Sequence, residues 1–356
     1  MDEAPDGPGD DGEPGGGGDA AGGDVAHAGA YAFGDGVTVG LAIAREWLGE
    51  QQGISPAEHG AGALGTLRVL SGAAHSSVPK GLSMLGLGRQ ALVRVPTRPG
   101  REAVDLAALE HALAEGEGDG PVIVVANAGT VNTVDFDDLR AIAVLRERYS
   151  FWLHVDAAFG AFAALSPEHA HLVDGLDLAD SICIDLHKWL NVPYDSAVQF
   201  TRRPDLQTSV FQNAAAYLGP LGDTPDMAHL TPENSRRLRA LAAWFTLRAY
   251  GRDGHREITE RCIDCARALG DAVENAPGLR RWADIAAAQS FTSCPMQHAL
   301  IGHRQRAGPR GCVGDIGRQE PGNGAGDLRG LPGPAHGDMG RQPWRGARGR
   351  RGSPSR

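Results

Sequence analysis

A lysine stands in an unusually apolar stretch of this sequence. The segment SICIDLHKWL places Lys188 directly after a strand-like run, with His187 before it and Trp189 after it. Lysine is normally a solvated surface residue, and burial disfavours its charged form. A buried lysine therefore offers a free amine, which can form a Schiff base with an aldehyde. A contact between the Lys188 cation and the Trp189 ring is the plainer alternative.

Two other segments end in residues that suit the same chemistry. HVDAAFG contains Asp156, and AAHSS contains His75. Taken alone, an Asp after a strand often caps a helix, and a His there is often a turn or core residue. Together with a lysine amine they match pyridoxal phosphate, whose aldehyde bonds to lysine and whose ring nitrogen pairs with a carboxylate. Asp156 would keep the ring protonated, His75 would stack on one face, and the small Ala158 would allow close approach on the other.

The elements around these residues alternate between short apolar strands and amphipathic helices. The strand-like runs are GTLRVLS, ALVRVPT, PVIVVANAG, FWLHVDAA and DSICIDLHK. The helix-like runs are VTVGLAIAREWLGEQ, VPKGLSMLGLG, DLAALEHALAEG and DFDDLRAIAVLRERYS. This alternation predicts an α/β fold with a mostly parallel sheet and helices on both faces. Ligands of such sheets lie beyond the carboxyl ends of the strands, which is where Asp156 and Lys188 stand.

The chain after Thr201 shows a weaker pattern. We expect an irregular stretch up to Thr231, which would cap a helix that starts at Pro232. A further helix is expected over about residues 255–276.

The composition excludes several classes of protein. The net charge is −10, and since residues 301–356 carry eleven Arg against four acidic residues, the remainder is more acidic still. An acidic body argues against nucleic acid or an anionic membrane as the main partner, although an Arg-rich nucleic-acid arm stays open as a minor alternative. No apolar run is long enough to span a membrane.

The five cysteines are scattered, which fits a reducing cytoplasm. Cys262 and Cys265 form a C-x-x-C inside a helical pattern. We expect ordinary helix packing there and no metal, because a zinc site needs about four ligands.

Both ends of the chain differ from its middle. Residues 1–36 contain twelve Gly, seven Asp and three Pro, and 32 of the last 56 residues are Gly, Arg or Pro. Such segments cannot bury enough apolar surface to offset the entropy lost on ordering. We therefore predict disorder over 1–36 and 286–356, with a cofactor-binding domain over 37–285. One hypothesis is that both ends are out-of-frame translations of a GC-rich gene, which reading the coding DNA in all three frames would test.

Several blocks resemble one enzyme family. SGAAHSSVPKGLSMLGLG, ANAGTVNTVDFDDL, HVDAAFGAFAAL, LADSICIDLHKWLNVPYDS and SRRLRALAAWFTLRAYGRDG resemble, in this order, blocks of the pyridoxal-phosphate-dependent group II amino acid decarboxylases, the family of aromatic-L-amino-acid decarboxylase. The resemblance runs from about residue 37 to 285, so the small C-terminal domain of the family is not matched. It implies fold type I, the aspartate-aminotransferase-like fold, and a homodimer with active sites at the interface. It also implies conversion of an L-amino acid to an amine and carbon dioxide through a Schiff base on Lys188.

The resemblance also assigns site residues. Lys188 matches the Schiff-base lysine, Asp156 the partner of the ring nitrogen, and His75 the stacking histidine. The other cofactor-binding positions that it implies are Ala158, His187, Asn127, Ser76, Gly34, Gly36 and Thr38. Gly34, Gly36 and Thr38 stand where family members have a Thr-Ser-Gly-Gly-type turn that holds the phosphate, and a helix N-terminus there would suit an anion. Asp35 would repel it.

Some roles stay open. Family members protonate the product with a tyrosine on a mobile loop, and we leave this donor unassigned between Tyr217, which aligns poorly, and His229, which lies nearer the expected place. Arg236 and Arg237 match the block SRR. They form either a solvated helix start or a pair with a structural or carboxylate-binding role.

Two alternatives to decarboxylation remain. One is another fold type I reaction, such as a transaminase or carbon–carbon lyase, which the segment HKWLNVPYDS disfavours. The other is an inactive fragment that at most binds cofactor or forms a dimer.

Overall fold

The computed structural model describes residues 28–29, 36–116, 120–213, 227–235 and 237–277. All of these residues belong to one compact unit. The predicted disorder of residues 286–356 concerns positions outside the described residues. Within the segment 1–36, for which we predict disorder, the structure describes Ala28–Gly29 as a short strand and Gly36 as the first residue of a helix, and the prediction for this segment stays a prediction.

The described strands form one mixed sheet of seven. They are β1 (Ala28–Gly29), β2 (Arg68–Ser71), β3 (Leu92–Arg94), β4 (Val122–Asn127), β5 (Trp152–Asp156), β6 (Ser181–Asp185) and β7 (Ala197–Thr201). Their order across the sheet is β1-β7-β6-β5-β4-β2-β3. Strands β2 to β6 run parallel, while β7 is antiparallel to β6 and β1 is antiparallel to β7. The prediction of a mostly parallel sheet is therefore confirmed.

Helices cover both faces of this sheet. They are α1 (Gly36–Glu50), α2 (Pro56–His59), α3 (Ser77–Met84), α4 (Leu106–Glu115), α5 (Leu139–Val144), α6 (Leu186–Trp189), α7 (Pro204–Phe211) and α8 (Arg239–Glu274). Short 3-10 turns lie at Ala61–Leu64, Arg89–Ala91, Leu145–Glu147, Ala161–Leu165, Ala170–Val173, Leu176–Leu178 and Met227–His229.

Strand β4 shows how one sheet supports two apolar cores. Its six residues are all buried. Val122 and Val124 join the core that includes α4 and α5, whereas Ile123 and Val125 join the core that includes α1 and α3. Because successive side chains of a strand point to opposite faces, a continuous apolar run of this kind is typical of a sheet that is covered on both sides.

Two glycines allow features that another residue would block. At Gly40 in α1, a Cβ would lie 2.3 Å from Cε1 of His154, so only glycine lets α1 pack directly on β5. At Gly251 the backbone has φ 59° and ψ −172°, and α8 is therefore two helices joined at a break. The second part of α8 agrees with the helix predicted over about 255–276.

Three sequence predictions need correction. We took Leu186–Lys188 as the end of a strand, but the strand ends at Asp185 and one helical turn, α6, follows. We expected a helix from Pro232, but α8 begins at Arg239. Strand β7 and helix α7 lie in stretches for which we predicted no regular element.

Candidate active site

Lys188 lies in α6, immediately beyond the carboxyl end of β6. Its side chain is 14% exposed, and its Nζ lies 2.7 Å from Oδ2 of Asp185. The same Nζ stands 3.4 Å from the centre of the Phe159 ring. The neighbouring Trp189 is buried in the core that includes α4 and α5, and this burial anchors the helical turn α6. The side chain of Lys188 is therefore largely sheltered from water, and its amine lies between the Asp185 carboxylate and the Phe159 ring.

Asp156 ends the adjacent strand β5 and is buried. Its Oδ1 accepts hydrogen bonds from the backbone N of Ala158 at 3.2 Å and from Sγ of Cys183 at 3.6 Å. Burial raises the pKa of Asp156, while the charge of Lys188 acts in the opposite direction and that of Asp185 adds to the rise. A carboxylate in this position is stabilised by any further cation that enters the site.

Lys188 and Asp156 line the same cleft. The other lining residues come from four neighbouring segments: Gly36 and Val37 at the start of α1; Ala73, His75 and Ser77 after β2; Asn127, Gly129, Thr130 and Val131 after β4; and Ala158, Phe159, Cys183 and Asp185 around β5 and β6. The cleft thus lies at the carboxyl ends of the parallel strands, as their topology predicts.

His75 follows β2 and is partly buried. Its Nδ1 lies 3.2 Å from the backbone N of Ser77 and 2.9 Å from Ser77 Oγ. Because a backbone N–H can only donate, Nδ1 accepts here, and the neutral ring carries its proton on Nε2. The turn between β2 and α3 therefore fixes both the position and the tautomer of this histidine.

Asn127 is buried at the end of β4, where it pairs in register with Asp156. Its backbone N donates to Oδ2 of Asp137 at 2.7 Å, and its side-chain Nδ2 donates to the same atom at 3.4 Å. The other Asp137 oxygen accepts from Val104 N at 2.6 Å. Burial raises the pKa of Asp137 to about 6, although these three donors oppose the rise. Asp137 thus holds Asn127 at the cleft.

The loop after β4 is tied to the loop before α4 by a second carboxylate. Glu102 accepts from Thr130 Oγ1 at 2.5 Å, from Thr133 N at 3.1 Å and from Asn132 Nδ2 at 2.6 Å. The segment that forms one wall of the cleft is therefore positioned by side-chain bonds and not by regular secondary structure.

The residues implied for the phosphate are only partly brought together. Gly36, the first residue of α1, lines the cleft, and a Cβ on it would lie 2.8 Å from Cβ of Cys183. Thr38, two residues further along α1, is buried against Gly81 and does not line the cleft. Gly34 and Asp35 lie outside the described residues.

Ser76 and His187 are also placed away from the cleft. Ser76 is exposed at the N-cap of α3, and the next residue, Ser77, lines the cleft instead, because consecutive residues at a helix start point in different directions. The ring of His187 is turned toward Ser196, whose carbonyl oxygen lies 2.7 Å from Nδ1, and toward Tyr194, at 4.3 Å between ring centres.

The candidate proton donors and the SRR block stand elsewhere. Tyr217 and Arg236 lie outside the described residues. His229 is buried, its Nδ1 accepts from Asn213 N at 3.0 Å, and it does not line the cleft. Arg237 donates to the carbonyl of Tyr194 at 2.9 Å and pairs with Asp195, which is a structural contact.

Sequence reasoning did not single out several lining residues. Asp185, Phe159 and Cys183 all stand within the motifs that drew attention to Lys188 and Asp156. Their closeness in sequence to Lys188 and Asp156 could have indicated a place in the site. Their orientation, however, depends on where β6 ends. Gly129 and Thr130 stand in the block ANAGTVNTVDFDDL, but their place at the cleft depends on tertiary contacts of their loop, among them those of Glu102.

Two negative findings apply to the described part of the chain. No helix there is long and apolar enough to cross a membrane. No group of three or more His, Cys, Asp or Glu residues there is arranged to hold a metal ion.

The sheet is mostly parallel with helices on both faces, and Lys188 and the buried Asp156 line one cleft at its carboxyl edge, an arrangement that is consistent with fold type I. The sequence model described as "Pyridoxal-dependent decarboxylase conserved domain" matches residues 18–284, about three quarters of the chain. The chain therefore belongs to the pyridoxal-dependent decarboxylase family.

Known relatives differ in their substrates. The chain is 30% identical over 240 residues to L-2,4-diaminobutyrate decarboxylase of Acinetobacter baumannii, a match that covers 65% of this chain and 46% of the relative. It is 35% identical over 204 residues to aromatic-L-amino-acid decarboxylase of Bos taurus, which covers 55% of this chain and 41% of the relative. The crystal structure of Oryza sativa TDC with PLP and tryptamine aligns with a TM-score of 0.64 and 25% identity, covering 71% of this chain and 53% of that one. The chain thus spans less than half the length of these two curated relatives.

Proposed function

We propose that the protein binds pyridoxal 5'-phosphate through Lys188 and removes the α-carboxylate of an L-amino acid, giving an amine and carbon dioxide. The observation that carries this proposal is the shared cleft of the Lys188 amine and the Asp156 carboxylate. The chemistry of these groups fits the cofactor, since an amine suits its aldehyde and a carboxylate suits its protonated ring nitrogen. When bound, the cofactor supplies an electron sink for the pair of electrons left by a broken bond at Cα.

Each residue of the cleft has a distinct task in this proposal. Lys188 Nζ would hold the cofactor through its aldehyde until a substrate amine takes that place. Asp156 would pair with the ring nitrogen, and because Asp156 is buried, that pair would be poorly screened by water and correspondingly strong. His75 and Ala158 would flank the ring, and the backbone N–H groups near Gly36 at the start of α1 would hold the phosphate.

The other residues that the resemblance assigns to the cofactor have less support from the structure, and their roles stay proposals. Asn127 lines the cleft and can orient substrate or cofactor through its amide. Ser76, His187 and Thr38 would need to act through neighbours such as Ser77, because they do not line the cleft as the structure places them.

A cofactor titration tests the proposal. The purified chain mixed with pyridoxal phosphate should show a visible absorption band, which Lys188→Ala should abolish. The sequence contains two lysines, and Lys80 on α3 is exposed, so Lys80→Ala is a matched control that should keep the band. Loss of the band in Lys80→Ala, or its persistence in Lys188→Ala, would contradict the assignment.

A screen of L-amino acids for carbon dioxide release tests the reaction class. Release with equimolar amine is expected for at least one of them. A keto acid product would instead indicate a transaminase, and cofactor binding with no product would indicate a binding protein without turnover.

We further propose a homodimer in the cytoplasm. Support for the dimer comes from the first part of α8 and the residue before it, which expose a set of large apolar side chains: Leu238, Leu241, Trp244, Phe245, Leu247 and Tyr250. Their helix packs inward through the small Ala243 against Leu190 and Val192. An apolar surface of this kind is typical of an interface. The described cysteines, Cys183, Cys262 and Cys265, are free thiols, in keeping with a reducing compartment.

A further inference from the structure

Asp185 stands three residues before Lys188 and contacts its amine directly. The two groups are 2.7 Å apart, and both side chains are largely sheltered, at 18% and 14% exposed. Exposed ion pairs contribute little because water screens them and their side chains stay mobile. A sheltered pair joined by one helical turn is less screened and holds its geometry better.

Asp185 occupies a position where an aspartate usually does something else. It is the N-cap of α6, yet its side chain makes no capping bond. In the same protein, Asp105 and Asp138 at the N-caps of α4 and α5 each accept from the backbone N three residues on, at 2.9 Å. Asp185 therefore departs from the local rule that its own chain follows at two other helices.

The backbone meets part of the need for a cap at α6. The carbonyl of Ser196 accepts from the backbone N of Leu186 at 2.9 Å and from that of His187 at 3.2 Å. These are the first two amides of α6. The third amide, that of Lys188, corresponds to the ones that Asp105 and Asp138 cap, but the Asp185 carboxylate contacts the side-chain amine of Lys188 instead.

Other charged groups near Lys188 are engaged differently. Asp156 faces the same cleft, but its Oδ1 accepts from Ala158 and Cys183. His187 Nε2 lies 3.7 Å from Asp185 Oδ2, and His75 is tied to Ser77. On the other side, Lys188 also lines a second cavity, where Glu257 of α8 pairs with Arg261 at 2.8 Å.

We propose that Asp185 is a positioning residue for Lys188: its carboxylate holds the amine at the edge of the cleft, through their 2.7 Å contact, whenever that amine is not bonded to the cofactor. This inference rests on the proposed function of Lys188. A released lysine is thereby kept beside the site for its next attachment, and in the cofactor-free protein its reaction with electrophiles is slowed.

The two lysines allow a test in the full chain without cofactor. Trace acetic anhydride, which acetylates uncharged amines, is applied near pH 7.5, and acetylation at Lys188 and Lys80 is compared by peptide mass spectrometry. Removing the carboxylate in Asp185→Asn should raise the Lys188-to-Lys80 ratio severalfold, because the amine is then no longer held in its 2.7 Å contact with Asp185 and is more available to the reagent. Asp185→Ser should act in the same direction if the Asn variant fails to fold.

Two controls separate charge from shape. Asp185→Glu keeps the charge and should stay close to the unaltered protein. Glu257→Gln removes a carboxylate from the second cavity without touching the amine, and should leave the ratio within about twofold. An unchanged ratio in whichever neutral variant folds, or an equal rise in Glu257→Gln, would overturn the proposal.

A parallel sample with pyridoxal phosphate keeps this result apart from the proposed function. Cofactor should protect Lys188 from acetylation in the unaltered protein. Failure of that protection would count against the cofactor role of Lys188, whereas failure of the Asp185 ratio would count against the ion pair alone.

Discussion

Replacing Asp137 with Asn should change how the stability of the protein depends on pH. Asp137 is buried beneath the cleft and accepts hydrogen bonds from Val104 and Asn127. Burial raises its pKa from the ordinary 3.8 to about 6. Between these values the folded protein binds a proton that the unfolded chain has released. The contribution of Asp137 to the free energy of unfolding must therefore fall as pH rises from about 4 to about 6, and level off above.

The size of this effect follows from the two pKa values. A difference from 3.8 to about 6 corresponds to roughly 3 kcal/mol of stability that is present below pH 4 and lost above pH 6. Asn has nearly the same shape but does not titrate, so Asp137→Asn lacks this contribution. Other groups titrate equally in both proteins and cancel in the difference.

Urea denaturation at a series of pH values from 4 to 7.5 measures the effect. The free energy of unfolding of the unaltered protein minus that of Asp137→Asn should decrease by roughly 2.5 kcal/mol across this range, because part of the contribution is already lost at pH 4. A difference that stays constant with pH would refute the reasoning. A difference that grows with pH would mean that the three donors, and not burial, dominate the carboxylate.

Two further substitutions test the packing and the exposed face. Gly40→Ala should destabilise the fold by about 2 kcal/mol or more, because its Cβ would lie 2.3 Å from the buried ring of His154. The control Gly62→Ala meets no atom within 4 Å and should change the urea midpoint little. Equal midpoints for both variants would contradict the close approach of α1 to β5. Phe245→Asp on the exposed face of α8 should convert a dimer to a monomer in sedimentation velocity. The control Val144→Asp, on the exposed side of α5, should leave the dimer intact. A dimer that survives Phe245→Asp would show that this face is not the interface.

Much of the architecture was predictable because it depends on local patterns. The apolar runs that became β4 and β5 could only be buried on two faces, and that requirement leads to a parallel sheet with its site at the carboxyl edge. The position of Asp156 and Lys188 at one cleft follows from this topology. No contact beyond the neighbouring strands was needed to anticipate it.

The errors share a different cause, which is competition from tertiary contacts. We expected Thr231 to cap a helix, but it is buried, and Arg239 pairs with both Asp195 and Glu233. Those contacts tie residues 231–235 to the chain near Asp195, and α8 starts only afterwards. Local capping preference is worth about 1 kcal/mol, too little to outweigh such a network.

The Asp185–Lys188 pair was missed for a geometric reason. In a strand, residues three apart point to opposite faces, so reading DLHK as strand hides the pair. One helical turn places the same two residues on one face. The end of β6 at Asp185 therefore decides whether the amine has a counterion, and a sequence pattern places such an end only within a few residues.

The central claim is that the amine of Lys188 holds the cofactor, and borohydride reduction tests it most directly. The full chain is incubated with pyridoxal phosphate, reduced, digested and mapped by mass spectrometry. The account predicts a stable pyridoxyl group on Lys188, with Lys80 essentially unmodified at equimolar cofactor. Modification of Lys80 to the same extent, or no modification of Lys188, would contradict it.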